Sequence, residues 1–404
     1  MRRLILLALL LPTITAGAFW LVLPSAYRVS ETTDYTTFYE PVARRILAGE
    51  GITTESGAAA LRTPPGYPII LAGVMGASHA TRIPEPIALD VLALICVAIS
   101  SLFLHLIARG IWEGWMALVP CLGWSTYPLA LWLTKQPNSE LVFTPVLFAA
   151  AFALWKATRD DVPHRGRLLS LGALLGTAML IRPIALFLPV MAAGVVVGCT
   201  PAWTRRQRAV GAALVLTASA IIVLPWEVHA ARAAGRFVLL ADTGVPAMRD
   251  GLTFGVNSQK EYRAGIYIPD VVRTVMIAFY AQYDQLTSFG AIMRAAAAQT
   301  VQHPLGMAGL IAMKLVRAWY GTDSQRLDRY IAAMQLVYLA ILAWAWRVAW
   351  RAGGARRRLA IIVASTLLVF WCMSVLALPL VRYMVPAIAL AFVLLPAARE
   401  KVVR

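Results

Sequence analysis

The sequence has few charged residues and few side chains of the kind that build metal or disulfide sites. Only 14% of its 404 residues are Asp, Glu, Lys or Arg, against about 25% in an ordinary soluble domain. The four cysteines lie singly in apolar stretches and therefore predict packing residues. This composition excludes a disordered chain and argues against a soluble enzyme.

Several familiar catalytic motifs are also missing. The sequence has no Walker A loop, no HExxH zinc motif and no GxSxG nucleophile elbow. Its five histidines are scattered, and no cluster of potential ligands predicts a metal site. Any chemistry has to come mainly from carboxylates and arginines.

Hydrophobic residues are abundant: they make up 60% of the chain, and the mean hydropathy is +0.69. About 20 apolar residues cross the roughly 30 Å hydrocarbon core of a bilayer. We therefore predict an all-α, polytopic transmembrane bundle that forms a single membrane-embedded domain over 1–404. The ten candidate spans are 3–23, 84–107, 112–133, 139–156, 168–181, 183–199, 209–228, 328–349, 359–378 and 383–397.

Two features of these spans need comment. The first span resembles a signal peptide, with a basic start and small residues at Thr15–Ala18, but its apolar run continues to Leu23. This favours a retained anchor over a cleaved leader. The spans 168–181 and 183–199 are short and separated by Arg182-Pro183, which predicts broken or tilted helices beside a cavity.

The basic residues orient the spans. With the N-terminus in the cytoplasm, 18 of the 37 basic residues and 4 of the 20 acidic residues fall on the inner side. About +14 of the net charge of +17 is then cytoplasmic, as the positive-inside rule requires. We predict an integral inner-membrane protein with both termini cytoplasmic. The basic excess marks sidedness, not a nucleic-acid partner.

Two long segments, 24–83 and 229–327, stay on the periplasmic or extracellular side, with interfacial helices predicted near Pro68–His79 and His303–Tyr320. Acidic residues are predicted on the same side of the membrane. Asp34 follows the first span, and Glu140 stands at the outer start of the fourth. One interpretation is that each acid only caps or stabilises a helix N-terminus. However, carboxylates at a bilayer boundary are costly unless they are partnered or functional.

Arginines occur at the same predicted depth. Arg62 lies in a Pro-rich segment, Arg182 separates two apolar halves, and Arg382 precedes the last span. Such residues can simply extend toward the interface, but the guanidinium also binds phosphate through two parallel hydrogen bonds. Acids and arginines beside lipid suit a lipid-linked phospho-sugar, whose transfer needs cations for the phosphate and a base for the acceptor hydroxyl.

Short motifs in order along most of the chain resemble the GT-C superfamily of membrane glycosyltransferases, in its protein-mannosyltransferase and aminoarabinose-transferase-like branch. These motifs are Asp34 to Gly49, Arg62-Thr-Pro-Pro-Gly-Tyr-Pro68, Ser139-Glu140, Leu180-Ile-Arg182-Pro183, Pro225-Trp226, Gly235-Arg-Phe237, Asp242-Thr-Gly244, His303-Pro304 and Arg382-Tyr383.

The resemblance implies a GT-C-like fold and an inverting transfer from a polyprenyl-phosphate sugar to a lipid, glycan or protein acceptor. Asp34 would be the base, and Glu140 a second acid, where many relatives have Asp. Arg62, Arg182 and Arg382 would bind the donor phosphate. The substrate pocket would contain Tyr35, Tyr39, Tyr67, His303 and Tyr383. Some distant members need a divalent metal, so the resemblance leaves a metal open.

A transporter or flippase of lipid-linked sugars is the alternative, because it also needs a groove for the tail and arginines for the phosphate. Transporters often show internal repeats and place charges at the bilayer midplane. Here no repeat is evident, and Asp90 is the one acid predicted near a midplane. A non-catalytic scaffold would leave the outer carboxylates unexplained. We expect the enzyme, with the sugar and the acceptor not identified by the sequence.

Overall fold

Apolar segments of this kind form helices because a chain in hydrocarbon has to satisfy its backbone hydrogen bonds internally. The computed structural model describes residues 2–24, 27, 34–254, 268–323 and 325–399. Within these ranges the regular elements are helical, apart from one isolated bridge between Thr53 and Ala59. The predicted all-α class is confirmed.

The described ranges contain seventeen α-helices. In chain order they are α1 (Arg2–Val22), α2 (Glu40–Leu47), α3 (Gly66–Thr81), α4 (Glu85–Ala108), α5 (Val119–Thr126), α6 (Pro128–Thr134), α7 (Ser139–Ala157), α8 (Arg165–Ile181), α9 (Leu188–Cys199), α10 (Arg205–Ala234), α11 (Gly244–Thr253), α12 (Asp270–Ala281), α13 (Phe289–Gln302), α14 (Pro304–Arg317), α15 (Asp328–Ala352), α16 (Gly354–Leu376) and α17 (Val381–Ala391).

Among the described residues, seven helical segments are long and apolar enough to cross a membrane: α1, α4, α7, α10, α15, α16 and Val381–Arg399. The pair Gly114–Thr126 and Pro128–Thr134 is bent by 62° and makes an eighth if it forms one span. The two predicted short spans are indeed short, since α8 has 17 residues and Pro183–Cys199 is a shorter apolar helix. The protein is therefore an integral membrane protein.

A proline sets the break between α8 and α9. The residue before proline is disfavoured in the α region, and Arg182, which precedes Pro183, is extended with φ −146° and ψ 127°. Helix α8 ends at Ile181 for this reason. Arg182 is thus the extended residue between α8 and the helical turn Pro183–Ala185.

Helices α8 and α10 pack backbone against backbone through two glycines. A β-carbon on Gly172 would lie 2.4 Å from the carbonyl oxygen of Val215, and one on Gly176 would lie 2.8 Å from that of Ser219. Ser219 Oγ also donates to the carbonyl oxygen of Gly172 at 2.9 Å. The Gly172-x-x-x-Gly176 spacing thus permits the close helix packing known from membrane proteins.

The chain divides into two compact units. The first comprises Met1–Ala241, Ile341–Leu367 and Val385–Arg404, and the second comprises Asp242–Ala340 and Leu368–Met384. Large aromatic side chains fill the first unit, including Trp124, Trp155, Tyr127, Phe143 and Phe148. The core of the second unit forms around Val275, Met276 and Phe279. Parts of both predicted outer segments, 25–26, 28–33, 255–267 and residue 324, lie outside the described residues.

Candidate functional site

The segment that carries Asp34 contains an unusual helical turn. Tyr35–Tyr39 is π-helical, and the N–H of Glu40 donates to the carbonyl oxygen of Tyr35, five residues earlier. Such turns are rare and are frequent at functional sites. Here the turn follows Asp34 directly and leads into α2.

Glu140 lies in the first turn of α7, but another residue caps that helix. Asn138 Oδ1 accepts from the N–H of Leu141 at 2.8 Å, and Asn138 Nδ2 donates to the carbonyl oxygen of Leu133 at 2.6 Å. Capping of α7 therefore needs neither Ser139 nor Glu140. Both side chains are left for other contacts.

Arg182 forms a buried ion pair with Glu140. Its Nη1 lies 2.6 Å from Glu140 Oε2, and the side chains are only 12% and 7% exposed. The same Nη1 donates to Ser139 Oγ at 2.7 Å. A buried ion pair is stable only where hydrogen bonds satisfy both charges, and Ser139 supplies one of them.

Tyr39 links the Asp34 segment to this pair. Its hydroxyl lies 3.3 Å from Ser139 Oγ. Burial raises the pKa of the Tyr39 phenol; Arg182 and Ser139 oppose the rise, whereas Glu140 and Asp34 add to it. The phenol is therefore protonated at neutral pH.

Two further tyrosines pack in the same region. The rings of Tyr39 and Tyr67 meet edge to face, with centroids 4.8 Å apart and planes at 79°. Tyr35 and Tyr67 are buried, and burial raises the pKa of Tyr67, with smaller contributions from Tyr39, Tyr35 and Glu140. A cavity of about 30 Å³ lined in part by Tyr67, Asp90 and Asn138 lies alongside. Its volume suits about one water molecule.

Arg62 stands on the Pro-rich segment that leads into α3. Its guanidinium carbon lies 3.9 Å from the centroid of the Phe38 ring, a cation–π contact that holds the side chain over the π-helical turn. Within the described ranges Arg62 has no acidic partner at ion-pair distance, and its side chain is exposed. Its guanidinium N–H groups are therefore available to bind an anion.

The segments of Arg62 and Arg182 touch through Gly66. A β-carbon at Gly66 would lie only 2.6 Å from the carbonyl oxygen of Leu180 and 3.0 Å from the nitrogen of Ile181. The Arg62–Pro68 motif thus rests directly on the Leu180–Pro183 motif. The first unit brings together Asp34, Tyr35, Tyr39, Arg62, Tyr67, Glu140 and Arg182.

Three predicted site residues belong to the second unit. Arg382 Nη1 lies 3.6 Å from Asp323 Oδ2, and its Nη2 donates to the Tyr383 hydroxyl at 3.2 Å. His303 is an exposed residue at the junction of α13 and α14. The donor-phosphate role of Arg382 and the pocket roles of His303 and Tyr383 stay predictions.

Sequence reasoning missed two residues of the site. Ser139 appeared only as part of a motif, although the neighbouring Asn138 is a good helix cap and leaves the serine available for another contact. The sequence did not identify Phe38 as a site residue, because a single aromatic residue in such a segment can have many roles. In the described part of the chain, no group of three His, Cys, Asp or Glu side chains is arranged to hold a metal ion.

Residues 64–229 match the family model described as dolichyl-phosphate-mannose-protein mannosyltransferase. The match includes Glu140 and Arg182, whereas Asp34 and Arg62 precede it. No curated protein sequence matches the chain.

Two solved structures are similar to the chain. The archaeal oligosaccharyltransferase AglB from Archaeoglobus fulgidus, in complex with an inhibitory peptide and a dolichol-phosphate, gives a TM-score of 0.54 at 11% identity. The match covers 98% of this chain and 50% of AglB, so the chain spans half the length of that protein. ArnT from Cupriavidus metallidurans, bound to undecaprenyl phosphate, gives a TM-score of 0.46 at 15% identity over 96% of this chain and 76% of ArnT. The chain is thus similar to the dolichyl-phosphate-mannose-protein mannosyltransferase family over residues 64–229, and it shares the fold of AglB.

Proposed function

We propose that this protein transfers a sugar from a polyprenyl-phosphate donor to an acceptor hydroxyl at the non-cytoplasmic face of the membrane. The family match supports this donor class, since its description names a dolichyl-phosphate sugar. The dolichol-phosphate in AglB, which shares the fold, agrees with it. The sugar and the acceptor stay open.

One observation carries the proposal: Arg182 pairs with Glu140 at 2.6 Å and donates to Ser139 at 2.7 Å, and the Ser139 hydroxyl lies 3.3 Å from that of Tyr39, five residues after Asp34. The three charged residues come from different segments that meet at the first turn of α7 and the end of α8. Burying charged side chains costs free energy. Two acids placed together here therefore favour a catalytic role over a purely structural one.

The proposed reaction is a single displacement. The acceptor oxygen attacks the anomeric carbon, the bond from that carbon to the phosphate oxygen breaks, and the polyprenyl phosphate leaves with the bonding electrons. Asp34 takes the proton of the acceptor hydroxyl. One in-line displacement inverts the anomeric centre.

Arg62 is the best candidate for the leaving phosphate. Its guanidinium is held over Phe38 and has no acidic partner in the described ranges. Arg182 is engaged by Glu140 and Ser139, so we assign it to the support of Glu140 instead. A bidentate contact from Arg62 would stabilise the charge that develops on the phosphate.

The test measures acceptor-dependent release of polyprenyl phosphate from a radiolabelled polyprenyl-phosphate sugar. We expect Asp34→Asn to lower turnover by about 100-fold or more, as loss of a general base does, and Glu140→Gln to lower it as well. Arg62→Ala should raise the KM for the donor. Glu55→Gln, an exposed glutamate of the same outer segment, is the matched control and should be neutral.

Equal expression and thermal stability of the variants are required, because Glu140→Gln leaves the buried Arg182 without its counter-charge. Wild-type turnover in both Asp34→Asn and Glu140→Gln would refute the mechanism. Movement of the labelled lipid across vesicles without acceptor-dependent release would favour the transporter.

A further inference from the structure

Ser139 has a hydroxyl that its helix does not need. It is the first residue of α7 and is 2% exposed, but Asn138 already accepts the N–H of Leu141. The Ser139 hydroxyl instead meets Arg182 Nη1 at 2.7 Å and the Tyr39 hydroxyl at 3.3 Å. A purely structural serine at this position would be expected to bond to its own helix.

The direction of the first bond is fixed by chemistry. A guanidinium has donors and no acceptor, so Ser139 Oγ accepts from Arg182. The remaining lone pair and proton of Ser139 are then available to Tyr39. The chain of contacts runs from Glu140 through Arg182 and Ser139 to Tyr39, five residues after Asp34.

We propose that Ser139 and Tyr39 are positioning residues: their hydroxyls tie the Glu140–Arg182 pair to the segment that carries Asp34 and so fix the spacing of the two carboxylates. This inference rests on the proposed function, because it concerns how that site is assembled. The high pKa of Tyr39 keeps its phenol protonated and thus able to donate or accept.

The π-helical turn supports this role. Tyr39 lies at the end of the turn, and its ring packs edge to face on the buried Tyr67, which limits how far its hydroxyl can move. Asp34 stands at the start of the same turn. A bond from Tyr39 to Ser139 therefore restrains Asp34 through one rigid turn. Catalytic groups displaced by about 1 Å lose up to roughly 100-fold in rate.

The experiment compares Ser139→Ala, Tyr39→Phe and the double variant in the full-length protein. We expect each single change to lower kcat about tenfold while the KM for the donor stays within about twofold of wild type. The kcat of the double variant should be no lower than that of the less active single variant, because both changes break the same link. Ser139→Thr keeps the hydroxyl and should retain most of the activity.

Thr144→Val is the matched control. Thr144 is fully buried one turn along α7, and among the described residues its hydroxyl bonds only to the carbonyl oxygen of Glu140, at 2.7 Å in its own helix. The Thr144→Val variant should be less stable than wild type but should keep the wild-type kcat. If Ser139→Ala does not fold, Tyr39→Phe carries the test, since the ring and its packing remain.

The outcomes separate the two proposals. An active wild type with unchanged kcat in Ser139→Ala and Tyr39→Phe overturns the positioning role alone. Additive losses in the double variant also overturn it, since independent effects exclude a shared link. A wild type without acceptor-dependent transfer overturns the proposed function, and the positioning role with it.

Discussion

At the residue scale, two buried basic residues on α14 show how an acidic partner affects whether a buried side chain is charged. Arg317 Nη1 donates to Asp328 Oδ2 at 2.7 Å, and the pair is 3% and 7% exposed. Lys314, one turn earlier, is 5% exposed and has no acid at ion-pair distance among the described residues. Burial lowers the pKa of Lys314 from 10.5 to about 7.

Lys314 should therefore make stability depend on pH. Between about pH 7 and 10.5 the unfolded chain binds a proton at this lysine that the folded chain does not, so folding becomes more favourable as pH rises. We expect Lys314→Met to stabilise the protein near pH 7, by an amount on the order of 4 kcal/mol at most, and to flatten this pH dependence. The measurement is the Tm in detergent from pH 7 to 9.5.

Lys156→Met is the control, because Lys156 is exposed at the end of α7. It should leave the pH dependence of the Tm unchanged. A Lys314→Met variant that is less stable than wild type at pH 7 would mean that the lysine is charged and partnered in the folded protein.

At the element scale, the contact of α3 with the end of α8 depends on the absence of one side chain. Gly66→Ala would place a methyl group 2.6 Å from the carbonyl oxygen of Leu180, so one backbone has to move. We expect a loss of about 1–3 kcal/mol in the free energy of unfolding. Turnover should also fall, because Arg62 and Arg182 flank this contact.

Gly73→Ala tests this in the same helix. No atom lies within 4 Å of the β-carbon that this change would add, and alanine favours helix by up to about 1 kcal/mol over glycine. The control should therefore be neutral or stabilising. Equal effects of the two substitutions on stability and turnover would show that the contact at Gly66 is unimportant.

The elements of this fold were easier to predict than their contacts. The apolar runs and the break at Arg182-Pro183 are local patterns, and each produces the expected local structure. The pairing of Arg182 with Glu140 is not local: it depends on where α7 and α8 end relative to each other. For that reason the sequence suggested three arginines for phosphate, whereas the structure engages Arg182 with an acid.

At the scale of the whole molecule, the distribution of charge predicts sidedness. The loops assigned to the cytoplasm carry about +14 of the net +17, and the proposed site is predicted to lie on the opposite side. In a cysteine-free background, Glu55→Cys should react with a membrane-impermeant thiol reagent in intact cells. Asp161→Cys should react only after permeabilisation.

Both positions are exposed residues, so burial does not explain a difference in labelling. Labelling of Asp161→Cys in intact cells would reverse the orientation. The proposed site would then face the cytoplasm, and the proposal of transfer at the outer face would fail.

The π-helical turn at Tyr35–Tyr39 also predicts which changes should occur together among homologues. Such a turn is equivalent to an α-helical turn with one residue inserted, and one residue rotates a helix by about 100°. A relative that lacks one residue between Asp34 and Tyr39 would turn its tyrosine away from the serine at the start of α7. Among homologues, the length of this short segment should therefore be inherited together with Tyr39 and Ser139, and a deletion there should accompany the loss of both hydroxyls.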